Sequence, residues 1–205
     1  IFYTLTVKPK TLTKDDLTYS GPITKVYDGS NSAPRGLTVS VKPDSLVGDD
    51  TLAVNGTLKY NSANVSEADT ITFTPDAITE GNYRLAAAEV LTITGASITK
   101  ATPTYKKPTG MTAKYGQTLA DVTLPDGWSW MDSKESVGDA SAAAKPFKAK
   151  FTPMDTANYN TVKNIELEVT VNQADGGSLG TVDLTQKYMD ASEHTYTPDW
   201  AGLPA

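Results

Sequence analysis

The sequence contains no cysteine and only one histidine among its 205 residues. The lack of cysteine excludes disulfide bonds, thiol nucleophiles and cysteine-ligated metal clusters. Because His194 is the single imidazole, we expect neither a Ser-His-Asp triad nor a multi-histidine metal site, and we interpret His194 as a plain surface residue. A net charge of −6 has the wrong sign for binding a nucleic-acid backbone. No apolar run approaches the roughly 18 residues of a membrane-spanning helix, so we expect no membrane insertion of this segment.

The sequence is rich in period-two alternation of apolar and polar residues. The alternation is clearest over residues 165–171, where a register shift of one residue would place two glutamates in the core. It recurs at residues 3–7, 70–74, 90–93 and 147–151. Strands of this kind are typical of antiparallel sheets with one solvated face. The sequence therefore predicts an all-β protein.

Turn signals separate these strands. Asp28-Gly29 follows a strand-like run, and Asn55-Gly56 predicts a hairpin within residues 52–60. Thr118 is a candidate N-cap for a helix of one or two turns over residues 118–122. Short strands with frequent turns favour an immunoglobulin-like sandwich, with a β-grasp-like arrangement as the alternative for the second half of the chain.

Two halves of the chain repeat the same short motifs in the same order. Val-Gly-Asp at 47–49 recurs at 137–139, Phe-Thr-Pro at 73–75 recurs at 151–153, and Asn-Tyr at 82–83 recurs at 158–159. We therefore predict two small antiparallel β-modules in tandem, module one (residues 10–101) and module two (residues 102–174), forming an elongated rod. Residues 1–9 are predicted to end a preceding repeat, and residues 175–205 to begin a third, truncated one.

The motif ITKVYDGS at residues 23–30 resembles the YDG-type repeats of bacterial cell-surface proteins. Module two, with YGQTLADV at 115–122 and PDGWSW at 125–130, is similar to the companion MBG-like repeats of Gram-positive bacteria. The resemblance implies a secreted, cell-wall-attached bacterial protein in which these modules form a stalk or spacer. It implies no enzymatic reaction and no cofactor. The expected partners are neighbouring repeats of the same chain, and the expected state is a monomer outside the cell.

A binding module is the alternative hypothesis. Trp128 and Trp130 could stack against sugar rings of host or microbial glycans, or contact a host or microbial protein, as in an adhesin. Because residues two apart on a strand share a face, at least one of the two indoles is expected to fill the core instead. An enzyme is the third hypothesis, and a glycoside hydrolase would need two carboxyl groups about 5–10 Å apart across a groove.

Two further kinds of site are conceivable. Asp15-Asp16, Asp49-Asp50 and the loop at residues 155–158 could supply oxygen ligands to calcium at a module joint, although no calcium-loop spacing is present. Solvated turns are the simpler interpretation. An isopeptide crosslink would need a buried lysine beside an asparagine or aspartate and an acid, and Lys25 and Lys114 are the candidates. We assign no metal and no catalytic residue from sequence.

Overall fold

The computed structural model describes residues 2–79 and 81–175, and His194 and the predicted third repeat beyond Asp175 lie outside them. Within these residues the protein is all-β, as predicted, with three single-turn 3-10 helices. The strands are β1 (Lys10–Leu12), β2 (Leu17–Ser20), β3 (Thr24–Val26), β4 (Thr38–Val41), β5 (Gly56–Tyr60), β6 (Thr70–Pro75), β7 (Tyr83–Leu85), β8 (Leu91–Thr94), β9 (Ser97–Thr99), β10 (Met111–Lys114), β11 (Trp128–Trp130), β12 (Ser141–Phe151) and β13 (Val162–Asn172).

Module two is built on one four-stranded sheet in the order β10-β13-β12-β11. Its first strand, β10, runs parallel to its last, β13, and the other two pairings are antiparallel. The alternation predicted at residues 165–171 is confirmed, since the apolar side chains there are buried and Glu166 and Glu168 are exposed. The glutamates thus fix which face of β13 points to the core.

The short helix predicted at Thr118 is confirmed as a single 3-10 turn at Leu119–Asp121. The Asp121 carboxylate accepts the Thr118 backbone N–H at 2.9 Å, and Leu119 is fully buried in the core of module two. All the strands of module two belong to the same sheet, so the favoured immunoglobulin-like sandwich is not its arrangement. A mixed sheet beside a helical turn is closer to the β-grasp-like alternative. Strand order depends on long-range pairing, which period-two alternation does not encode.

Module one uses the same strand order in a broken form. Strands β5-β6-β8 make an antiparallel sheet, and β3 runs parallel to β9 in a second, smaller sheet. Strands β8 and β9 correspond together to β13. β9 pairs in parallel with β3 and β8 pairs antiparallel with β6, as β13 pairs with β10 and β12. Gly95 and Ala96 interrupt them, and Gly95 has φ of +76°, a conformation that glycine adopts without strain.

The registers of the two modules correspond residue by residue. Leu58 pairs with Phe73 on β6, and Trp128 pairs with Phe151 on β12. Two residues further along, Tyr60 pairs with Ile71, and Trp130 pairs with Ala149. At the parallel seam, Lys25 pairs with Ile98 where Ala113 pairs with Val171. The repeated motifs in the sequence therefore mark equivalent positions in the two modules.

Module one also carries strands without a counterpart in module two. β2 and β4 form an antiparallel pair, and β1 pairs in parallel with β7. The buried apolar residues of module one form two clusters, and both Leu58 and Leu91 pack against each of them. Module two has one cluster of its own. No helix among the described residues has the length and apolar character needed to cross a membrane.

Two sequence-based expectations are corrected. Asn55-Gly56 is not a hairpin turn, because Gly56 is the first residue of β5 and pairs with Pro75. A Cβ on Gly56 would lie 2.4 Å from the Thr74 carbonyl oxygen, so this glycine permits close backbone approach rather than a tight turn. Residues 3–7 form no strand, and their apolar side chains are exposed. Alternation makes a segment able to pair but does not supply the partner strand.

Candidate functional site

The contacts between the two modules centre on Asn158, which lies in the loop after β12. Its side chain is 6% exposed, the most buried polar residue among those described. The Asn158 Oδ1 accepts the backbone N–H of Val65 at 2.9 Å, and its Nδ2 donates to Asn64 Oδ1 at 3.4 Å. Within module two, the same Nδ2 donates to Asp155 Oδ2 at 2.9 Å. The amide of Asn158 therefore links the backbone and side chain of module one to its own loop.

The chain that connects the modules is held by the same loop. The Ala101 N–H donates to the Asn158 carbonyl at 3.0 Å, and the Asn160 N–H donates to the Ala101 carbonyl at 2.9 Å. The Lys100 ammonium donates to the Thr156 carbonyl at 2.6 Å. Pro103, just beyond, is buried. The connection is thus hydrogen-bonded on both sides of Ala101, which is unlike a flexible linker.

An aromatic pair completes the joint. The rings of Tyr27 from module one and Tyr159 from module two meet edge to face, with their centroids 5.3 Å apart. Tyr27 also packs against the core cluster of module one. Edge-to-face pairs contribute roughly 0.5–1.5 kcal/mol beyond the area they bury. Tyr27, the residue directly after β3, therefore connects the core of one module to the surface of the next. We refer to Tyr27, Asn64, Val65, 100–101 and 155–160 as the joint.

A polar clasp is formed on either side of Tyr27 by Lys25, Asp28 and Ser30. The Lys25 side chain is 10% exposed, and its Nζ donates to Asp28 Oδ1 at 2.7 Å and to the Ser30 carbonyl at 2.9 Å. Asp28 Oδ1 also accepts the Ser30 N–H at 2.9 Å, and Gly29 follows with φ of +79°. The turn roles predicted for Asp28 and Gly29 are confirmed.

The electrostatics of the clasp follow from these contacts. The Lys25 ammonium, followed by the Ser30 N–H, lowers the pKa of Asp28 from 3.8 to about 2. Behind the clasp, the Lys25 Nζ lies 5.7 Å from the centroid of the Tyr60 ring. The Tyr60 hydroxyl lies 3.0 Å from both the Ile23 and Ser97 carbonyl oxygens, at the β3–β9 seam. Burial, with a smaller contribution from Asp28, raises the pKa of Tyr60. The clasp and the Tyr60 ring therefore cover the end of the core at the β3–β9 seam.

The two lysines considered for a crosslink lie in different surroundings. The Lys25 amine contacts Asp28 and Ser30, all within five residues in sequence, so a bond there would close only a short loop. Lys114 is half-exposed and forms an ion pair with Asp175. Lys114 therefore lacks the burial that the crosslink hypothesis requires. Lys25 contacts Asp28, but its amine bonds to no second acid among the described residues.

One acid of each pair proposed for calcium is bonded to protein groups instead, and so is Asp155. Asp50 accepts the Tyr83 hydroxyl at 2.8 Å, and Asp16 accepts the Thr13 N–H at 2.8 Å and the Ser45 hydroxyl at 2.7 Å. The carboxylate of Asp155 accepts both amide groups of Asn158. Among residues 2–79 and 81–175, no group of three or more acidic or histidine side chains is placed to hold a metal ion.

The sequence of module one matches a known family. Residues 8–90 match the family model of the YDG domain. The matched segment contains β1 to β7 and the clasp of Lys25, Asp28 and Ser30. It ends one residue before β8, so the strands that close the sheet lie beyond the match. No curated protein and no solved structure matches the chain.

The tryptophans lie outside the YDG match. Trp130 is 8% exposed, and its Nε1 donates to the Val122 carbonyl at 3.0 Å. Its indole therefore has no face open to a ligand, which corrects the hypothesis that Trp130 contacts glycans. Trp128 is half-buried and packs edge to face against Tyr105, at 5.4 Å between centroids, and against Phe151 at 5.2 Å. Trp128 and its partly exposed neighbour Tyr105 form an aromatic pair at the surface.

The joint residues are not among those that the sequence singles out for binding. The sequence predicts the loop at 155–158 only as a solvated turn or a calcium site, and Tyr27 enters only as part of the motif at residues 23–30. A signal for Asn158 does exist in the repeated Asn-Tyr dipeptide, which occurs at 82–83 and 158–159. The sequence could not show that module one covers Asn158, because that contact joins residues 93 positions apart.

Proposed function

We propose that this chain is a non-enzymatic stalk or spacer segment of a secreted, cell-wall-attached bacterial surface protein. Its partners are the neighbouring repeats of the same chain, and module two is a companion MBG-like repeat of the YDG domain. The resemblance of both modules to surface repeats supports the proposal, together with the YDG match over residues 8–90. We place the protein outside the cell as a monomer.

The observation that carries the proposal is the burial of Asn158 between the modules. A spacer extends a distal domain only if its modules keep their orientation, since flexible joints fold back on themselves. At this joint, side-chain and backbone hydrogen bonds and the Tyr27–Tyr159 ring contact all cross from one module to the other. A buried amide whose oxygen and nitrogen both have hydrogen-bond partners favours one orientation.

The test is the stiffness of the joint. Because the chain has no cysteine, two engineered cysteines can carry spin labels without background. Exposed strand residues Lys59 of module one and Lys148 of module two are suitable positions. We expect a narrow distribution of label-to-label distances in the labelled chain, and a clearly broader one after Asn158→Ala. Asn31→Ala, at an exposed asparagine of module one, should leave the distribution unchanged.

A broad distribution in the unmodified joint would overturn the stalk proposal. A narrow distribution that responds to neither Asn158→Ala nor Tyr159→Ala would leave the stiffness standing and refute the role of these two residues in it. Circular dichroism of each variant shows that the modules themselves remain folded, so a change in width then reports only on the joint.

A glycan-binding or adhesin role is the second candidate, and the partly exposed pair of Tyr105 and Trp128 favours it. Sugar rings stack on aromatic faces, and this pair lies on the surface of module two. If the role is correct, Trp128→Ala abolishes binding on a glycan array while the far-ultraviolet spectrum is retained. Absence of binding by the unmodified chain on an array that covers host and microbial glycans would reject the glycan-binding role.

A further inference from the structure

The preceding chain meets both modules through the same backbone contact. At module two, Ala101 pairs in parallel with Tyr159, and its N–H donates to the Asn158 carbonyl at 3.0 Å. Two residues later, Pro103 is buried. Here the contact belongs to the joint, since the chain before Ala101 is module one.

Module one receives the chain in the same way. Lys10 pairs in parallel with Tyr83, and its N–H donates to the Asn82 carbonyl at 2.8 Å. Two residues later, Leu12 is fully buried. Asn82 therefore occupies in module one the position that Asn158 occupies in module two.

The side chains of these two asparagines differ in their surroundings. Asn158 is covered by module one, whereas Asn82 is exposed beside a cleft of about 370 Å³. The cleft is lined also by Val7, Lys8 and Asp50. The cleft is therefore lined both by the chain that enters module one and by the loop of Asn82, the residue equivalent to Asn158.

Residues 3–7 indicate what covers this cleft. Tyr3, Leu5 and Val7 alternate with threonines and are almost fully exposed. The same alternation in β13 places Leu167, Val169 and Val171 in the centre of a sheet. Val7 also stands three residues before Lys10, as Ile98 of β9 stands three residues before the equivalent residue Ala101. Residues 3–7 therefore match the closing strand of a β-module.

We propose that the Asn82 cleft is the docking surface for a preceding β-module of the same build, whose last strand is residues 3–7. The Asn82 side chain makes the polar contact that Asn158 makes at the joint. The aromatic contact does not recur, because the Tyr83 hydroxyl is bonded inward to the Val47 N–H and to Asp50. Val47 is 61% exposed at the cleft and supplies the apolar contact in its place. This inference rests on the proposed stalk function, because the Asn82 cleft would join a further module to the stalk.

The test adds a module upstream of residues 10–205, in place of residues 1–9. A copy of residues 8–100 is joined directly to residue 10 of the chain, so that Lys10 takes the position of Ala101 at the new joint. The copy carries the surface of Tyr27, Asn64 and Val65 that receives Asn158 at the natural joint. Spin labels at Lys59 of the copy and Lys59 of the original module report the new joint. The Lys59–Lys148 pair reports the natural joint in the original chain.

We expect a narrow distribution at the new joint that broadens when Asn82 of the original module is changed to alanine or Val47 to serine. Asn31→Ala in the same module is the control and should not broaden it. A broad distribution at the new joint with a narrow one at the natural joint would overturn this inference and leave the stalk proposal standing. A broad natural joint would overturn the stalk proposal itself. A narrow new joint that ignores Asn82→Ala would refute the role of Asn82.

Discussion

Module one and module two build the same strand order from different side chains. In module two the core strand β13 is continuous, and Trp130 packs opposite the small Ala149. In module one the corresponding strand is divided into β8 and β9, and the smaller Tyr60 packs opposite the larger Ile71. Each pair combines a large side chain with one that complements its volume. We infer that the combined volume of each cross-strand pair matters more for core packing than the identity of either residue.

A second difference lies at the parallel seam. Ala113 is buried in module two, where Lys25 of module one reaches out to the clasp with Asp28 and Ser30. Module one thus has the charged Lys25 where module two has the methyl group of Ala113. Asp28 of the same segment pairs with that charge, and Tyr27 contacts Tyr159 across the joint.

The largest expected effect is at the tryptophan of module two. Trp130→Ala should lower the free energy of unfolding of module two by about 4 kcal/mol, because it removes a buried indole and its bond to Val122. Trp128→Ala, at the half-buried position, should cost distinctly less. Urea titration of each variant, followed by circular dichroism, measures both. Equal losses for the two variants would contradict the division into core and surface indoles.

The volume argument is tested by Ala149→Ile, which copies Ile71 into module two. With Trp130 in place, overpacking should destabilise the module by about 2 kcal/mol. The double variant Ala149→Ile with Trp130→Tyr copies the pair of module one and should recover part of this loss. A double-mutant cycle on urea midpoints measures the coupling. Purely additive losses would show that the two residues do not share one volume.

A smaller effect is expected for Tyr60→Phe in module one. It keeps the ring but removes the hydroxyl that lies 3.0 Å from the Ile23 and Ser97 carbonyls. The loss of one hydrogen bond should reduce stability by about 1 kcal/mol. Amide exchange at β3 and β9 measures it locally, and Tyr19→Phe, at an exposed position, is the control. Unchanged exchange at this seam would mean that the hydroxyl does not hold it.

The smallest effect concerns the clasp and pH. The folded-state pKa of Asp28, about 2, lies below its ordinary 3.8, so the stabilisation is complete above that ordinary value and is lost as pH falls to about 2. Because the Asp28 carboxylate is about half exposed, solvent screening keeps the contribution below about 1 kcal/mol. Asp28→Asn should flatten the stability profile of module one over this pH range, whereas Asp126→Asn, at an exposed turn, should not. An equally steep profile in Asp28→Asn would contradict the clasp.

The sequence by itself determined the strand faces, the turn at Asp28-Gly29 and the repeated motifs, because each depends on residues close together in the chain. It also indicated that one of the two tryptophans fills the core. Only the tertiary structure decided the parallel pairing of β10 with β13, the close approach at Gly56 and the burial of Asn158. Those features join residues far apart in sequence, and their energies arise from packing and hydrogen bonds that a local pattern does not specify.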